Sequence, residues 1–194
     1  MVFYNIDFSD PSNTPYTIAA GVVTVAVDVS FVSGDKLVII NPNQLKTRIA
    51  AIPAAIADVT EIKFVNNSGT VITGNSIMLV GNCTSMFHGF TNLTTLGATK
   101  WDTSQVHNMA QMFRQCTKFN EPLEWYTSRV TSMELMFYGC HLFNPINTAA
   151  NDDDAALPVG YLNWNVSSVT TMNHMFSGCT SLTTANFAYS IKIP

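Results

Sequence analysis

The chain has 194 residues, of which 11% are charged, with a formal net charge of -4. That length can bury a proper core, either as one domain or as a small cap plus a repeat array. Its Lys and Arg are not clustered, which argues against nucleic acid, since phosphate binding needs grouped cations; no run approaches the ~18 uninterrupted apolar residues of a membrane-spanning helix, so no direct membrane insertion is expected.

The opening residues, Met1-Val2-Phe3-Tyr4-Asn5-Ile6-Asp7, lack the basic start and apolar run of a secretory leader. The expectation is a protein that stays where it is made, leaves inside a particle or is given without its leader, and the Met1 start favours the first two. The polar residues are mostly Thr, Asn and Ser, a surface commoner on extracellular and particle-borne proteins than on cytosolic enzymes. Tyr4, Ile6 and Phe8 occupy alternate positions, as do Val23, Val25, Val27, Val29 and Phe31, the pattern of half-buried strands. Leu37-Val38-Ile39-Ile40 follows the Ser33-Gly34-Asp35 turn as a third apolar run, and Asn43 to Ala51 reads as a short helix ended by Pro53. Residues 1–48 are therefore expected to form an N-terminal β-cap. Val59-Thr60-Glu61-Ile62-Lys63-Phe64-Val65-Asn66-Asn67 then fits an L-x-x-L-x-L-x-x-N pattern, with Asn67 in the ladder position.

From there the chain repeats. Met86-Phe87, Met112-Phe113, Met136-Phe137 and Met175-Phe176 recur after 26, 24 and 39 residues, the last interval being one repeat with a 15-residue insertion. Trp101, Trp125 and Trp164 stand at a constant distance before the last three of these pairs. Ser104, Ser128 and Ser167 precede apolar residues at helical spacing (Val106, Met109, Met112, Phe113 in one copy), so a hydroxyl-capped helix is expected in each. Gly139 and Gly178 suit a left-handed helix end followed by an apolar Cys, a role that Gln115 would fill under more strain. A short extended piece closes each copy, for example Leu93-Thr94-Thr95-Leu96 or Phe119 to Leu123. The expected fold is thus a β-rich α/β solenoid, a leucine-rich-repeat-like stack of short-strand-plus-short-helix units over residues 49–194. It would hold about four to five repeats, with the insertion at about 148–162.

The string Trp-x-x-Ser-x-Val-x-x-Met-x-x-Met-Phe-x-x-Cys resembles the BspA-like leucine-rich repeats, a type also labelled Mycoplasma lipoprotein repeats. Residues 101–124, 125–147 and 164–187 carry the resemblance well, residues 75–100 in part, and residues 1–50 not at all. The resemblance implies adhesion or protein-interaction modules of bacterial and protozoan surfaces and of large DNA viruses. It implies no catalytic residues and no cofactor.

Residue by residue, core readings prevail over chemical ones. Met86, Met112, Met136 and Met175 with Phe113, Phe137 and Phe176 lie in the register of core packing. Cys116, Cys140 and Cys179 occupy one equivalent position; a ladder of buried small side chains is favoured over a disulfide or a metal site, because no C-x-x-C spacing is present. Trp101, Trp125 and Trp164 read as a stacked ladder, with an aromatic binding strip as the alternative. His88, His107, His141 and His174 pair with no nucleophile in any triad motif. Asp152-Asp153-Asp154 lacks the alternation of a calcium loop; within residues 149–161 these acids and Tyr161 are the best candidates for a partner contact. The expected function is a non-enzymatic structural or interaction protein with protein partners. A capsid-associated component of a large DNA virus leads, located in the virion, and a secreted or cell-surface adhesin is the alternative. The oligomeric state is open.

Overall fold

In a computed structural model, which describes residues 1–10, 16–27, 34–50, 56–144, 164–183 and 191–192, the elements in chain order are β1 (Phe3–Asp7), β2 (Tyr16–Ala19), β3 (Val22–Ala26), β4 (Lys36–Ile40), α1 (Leu45–Ala50), β5 (Glu61–Val65), β6 (Val71–Ile72), β7 (Ile77–Asn82), β8 (Asp102–Asn108), β9 (Trp164–Asn165) and β10 (Ile191–Lys192). One four-stranded sheet runs β1-β4-β7-β8 and is parallel throughout. Its register sets Ile6 against Ile39 and Ile39 against Leu79, three side chains almost wholly removed from water. Consecutive residues of β4 point to opposite faces, and Leu37, Val38 and Ile39 are all buried, so both faces are covered and the strand reads without a polar break.

The second sheet runs β2-β3-β5-β6 and is mixed. β2 and β3 form a hairpin whose two turn residues, Ala20 (φ 49°) and Gly21 (φ 80°), are both left-handed, the geometry that matches strand twist. Gly21 is required by its left-handed φ and by the close approach of Asp58 and Thr60. A Cβ there would meet the Asp58 carbonyl oxygen at 2.8 Å, and the Thr60 N–H donates to the Gly21 oxygen at 2.8 Å. β3 then pairs in parallel with β5, bringing Val23 and Val25 onto Ile62 and Phe64.

These pairings overturn the expected leucine-rich-repeat-like solenoid with an N-terminal β-cap. The chain is a compact α/β fold with two four-stranded sheets and, among the described residues, a two-stranded parallel pair β9-β10 and a single α-helix, α1. The strands of residues 3–40 include β1, the end strand of the parallel sheet. They are shared between both sheets, side by side with strands from residues 61–108. Among the described residues the strand-plus-helix units are absent as well. Each Met-Phe segment is a run of tight turns, because a left-handed residue interrupts it: Ser85, Gln111, Leu135 and His174 all have φ near +56°. A helix cannot pass through such a residue. Four-residue turns take its place, with the N–H of Met112 donating to the Met109 oxygen and that of Arg114 to the Gln111 oxygen. These overlapping turns and the end of β8 bury Val106, Met109, Met112 and Phe113 much as a helix would, so apolar spacing cannot separate the two.

The remaining local expectations resolve similarly. Ser104 and Ser167 cap no helix; their hydroxyls donate to Asp102 Oδ1 and Asn165 Oδ1, each at 2.7 Å. Of the extended pieces, only Thr95 forms a strand-like bridge among the described residues, to Glu61. Gly139 and Gly178 are left-handed, and Gln115 shares that conformation at φ 61°. At the 59–67 segment, Asn66 organises the turn, its Oδ1 accepting from the Ser68 and Thr70 N–H groups. One apolar cluster runs from Ile6 to Cys179 through both sheets and all four turn segments.

Candidate functional site

Successive copies of the repeat lie on one another through their backbones. In the first turn segment the N–H groups of Cys83, Ser85, Phe87 and Gly89 donate to the oxygens of Asn108, Ala110, Met112 and Arg114 at 2.8–3.0 Å. Met109, Gln111, Phe113 and Gln115 do the same to Ser132, Glu134, Met136 and Tyr138, and Met133, Leu135, Phe137 and Gly139 to Thr171, Asn173, Met175 and Ser177. The intervening N–H groups close the tight turns. Parallel bridges Asn108 to Ser132 and Ser132 to Thr171 carry the same register out of β8.

Side chains follow the backbone. Phe87, Phe113, Phe137 and Phe176 form a column with ring centroids 5.2–5.5 Å apart, and Phe119 and Phe143 flank it at 4.3 and 4.0 Å. Met86, Met112, Met136 and Met175 are buried beside this column, and Phe176 is half-buried. Trp125 and Trp164 stack at 6.3 Å, their indole N–H groups donating to the Ala98 and Leu123 oxygens. Trp101 stands apart from that pair. It packs against Phe64 and Phe87, and its indole nitrogen is buried without a hydrogen-bond partner.

All four cysteines are free and buried. The thiols of Cys116, Cys140 and Cys179 donate to the oxygens of Phe87, Phe113 and Phe137, one copy back in each case. Burial pushes the thiols of Cys83, Cys116 and Cys140 far above the ordinary range and that of Cys179 up to about 12. Protonated, buried thiols are poor nucleophiles and poor metal ligands. No group of His, Cys, Asp or Glu among the described residues could hold a metal ion.

Of the expected contact residues, Asp152, Asp153, Asp154 and Tyr161 lie outside the described residues, as does the whole insertion. The described surface carries an exposed apolar edge elsewhere. β1 is the end strand of its sheet, and Met1, Val2 and Phe3 are large apolar residues left in solvent, Phe3 to 56%. The backbone there is held on its inner side, where the Val2 N–H donates to Asp35 Oδ1 at 2.8 Å and the Val2 oxygen accepts from Lys36. Sequence reading placed Tyr4, Ile6 and Phe8 on the buried face. The missed signal was Phe3, an aromatic residue out of phase with that alternation. Tyr126 and Leu142 add exposed apolar side chains on the repeat region.

No helix among the described residues is long and apolar enough to cross a membrane. No curated protein and no solved structure matches the chain. A family model does, over residues 60–156 and 156–192, and the family it describes is Mycoplasma-associated and related to surface-repeat proteins. By that match across most of its length, the chain belongs to the family described as Mycoplasma protein of unknown function, DUF285.

Proposed function

We propose that the protein is a non-enzymatic structural or protein-interaction module, and more narrowly a capsid-associated minor component of a large DNA virus. The observation that carries the module reading is the end strand β1 with its solvent-exposed Met1-Val2-Phe3 edge on a rigid, aromatic-cored scaffold. An end strand offers unpaired backbone groups that a partner strand can extend, with exposed apolar side chains adding affinity. The virion setting rests on the likeness of the Trp-x-x-Ser-x-Val-x-x-Met-x-x-Met-Phe-x-x-Cys string to the BspA-like repeats, a narrower kinship that belongs to this proposal. The Mycoplasma-associated family favours a second reading, a secreted or cell-surface adhesin for host or matrix proteins.

Cross-linking mass spectrometry on the protein in its native source tests these readings. Cross-links from the β1 edge to capsid subunits in purified particles support the virion reading, and links to host or matrix glycoproteins support the adhesin. Phe3→Asp should abolish those links while leaving the fold intact. Wild-type yields with no protein partner cross-linked would end the module reading.

A further inference from the structure

The repeat register brings together three basic side chains that nothing in the repeat motif requires. His88 and Arg114 hold equivalent positions, two residues after Met86 and Met112. The Gly89 N–H donates to the Arg114 oxygen at 2.8 Å, so the two positions lie in adjacent layers. α1 adds the third: Lys46 Nζ lies 3.7 Å from where a Cβ on Gly89 would stand. Each of these groups is half-buried.

We propose that Lys46, His88 and Arg114 form a binding site for a small doubly charged oxyanion of the phosphate or sulfate class.

The counter-charge is missing. The ion pairs of the described residues join Lys36 to Asp102 and Lys100 to Glu124, and none reaches this cluster. The ionisable groups that bear on His88 are Lys46 and Arg114, and those that bear on Lys46 are the buried Cys116 thiol and Arg114. Burial and the neighbouring Arg114 hold the Lys46 ammonium below its ordinary range, and burial, Lys46 and Arg114 do the same to His88. The guanidinium is already placed. Its Nη1 donates to Gln111 Oε1 at 3.0 Å, its carbon sits 5.5 Å from the Tyr138 ring centroid, and its Nε is buried with no hydrogen-bond partner. Gln115 Oε1 lies 3.2 Å from His88 Nε2 and orients that ring. Half-buried cations without a carboxylate are costly. Heads carried on layers about 4.8 Å apart can share the oxygens of one tetrahedral anion. Two permanent charges and a titratable third match a dianion better than a carboxylate.

The test is a titration of the full chain with inorganic phosphate, inorganic sulfate and acetate, followed through the amide resonances of His88 and Gly89. Saturable shifts in the millimolar range are expected with phosphate or sulfate. Binding should weaken about tenfold in Lys46→Gln, a change on the partly exposed face of α1. Arg114→Lys, which keeps the charge and loses the fork, should weaken it as well. Acetate binding as tightly as phosphate would refute the dianion assignment. Shifts that never saturate, or equal affinity in a folded Lys46→Gln protein, would overturn the site.

Discussion

Two regions of this molecule build parallel layers in different ways. In β1-β4-β7-β8 the layers are strands, and β-branched or aliphatic side chains such as Ile6, Ile39 and Ile77 define them. In the repeat region the layers are turn segments, and within them the backbone N–H ladder between layers runs one way. Every ladder N–H of residues 83–89 points to the next copy, whose oxygens receive it. In a parallel strand pair each chain both donates and accepts. The strand layers need apolar side chains on their buried faces, and many aliphatic residues satisfy them. The turn layers need left-handed residues at set positions and aromatic rings of matching size.

That contrast can be broken by experiment. The largest effect is expected at Phe113, whose ring lies between Phe87 and Phe137 and against Phe119. Phe113→Ala should cost about 4 kcal/mol, against about 3 kcal/mol for Ile39→Ala in the strand region, both read from urea unfolding. An Ile39 cost well above the Phe113 cost would invert the comparison. Next comes Glu121, whose carboxylate accepts three backbone N–H groups, from Leu96, Gly97 and Ala98 at 2.7–3.0 Å. Removing it in Glu121→Ala leaves those donors unpaired, and a loss of about 2 kcal/mol is expected in the same assay.

The left-handed positions come third. A Cβ on Gly178 would meet Gly139 Cα at 3.2 Å, whereas one on Gly139 meets Gln115 Cγ at an ordinary 3.7 Å. Both residues have φ above 70°. Gly139→Ala should cost about 1 kcal/mol from backbone strain alone, and Gly178→Ala more, as melting temperatures would show. A smaller difference separates the tryptophans. Trp125→Phe gives up the bond to the Ala98 oxygen, while Trp101→Phe removes an indole N–H that has no partner. The Trp125 substitution should therefore be the costlier by about 1 kcal/mol. The weakest signal is a pH dependence. His88 is held below its ordinary 6.5, first by burial and then by Lys46. The unfolded chain thus takes up the proton first as pH falls. Stability should drop as pH falls from about 6.5 through the folded-state value, and His88→Gln should flatten that part of a melting-temperature profile.

Much of this was legible in the residues. The alternation of Val23 and Val25, the unbroken run of β4 and the register of Met112, Phe113 and Cys116 all announce burial, since solvent exclusion depends on side-chain type and spacing. His88 and Arg114 could have been paired from the repeat alignment alone. Lys46 could not, because it arrives from α1, outside the repeats. The conformation of Leu135 was equally hidden. Leucine disfavours φ of 55°, and its N–H is held there by the Asn173 oxygen of the next copy, 38 residues away.

The amino-acid order thus carried which side chains leave water and at what interval the chain repeats, because both are local properties of residue type and spacing. Folding in three dimensions settled whether those intervals close as helices or as turns, and which strands share a sheet. Those choices depend on backbone partners supplied by distant segments: the Asn173 oxygen for Leu135, β4 for β1, and β5 for β3.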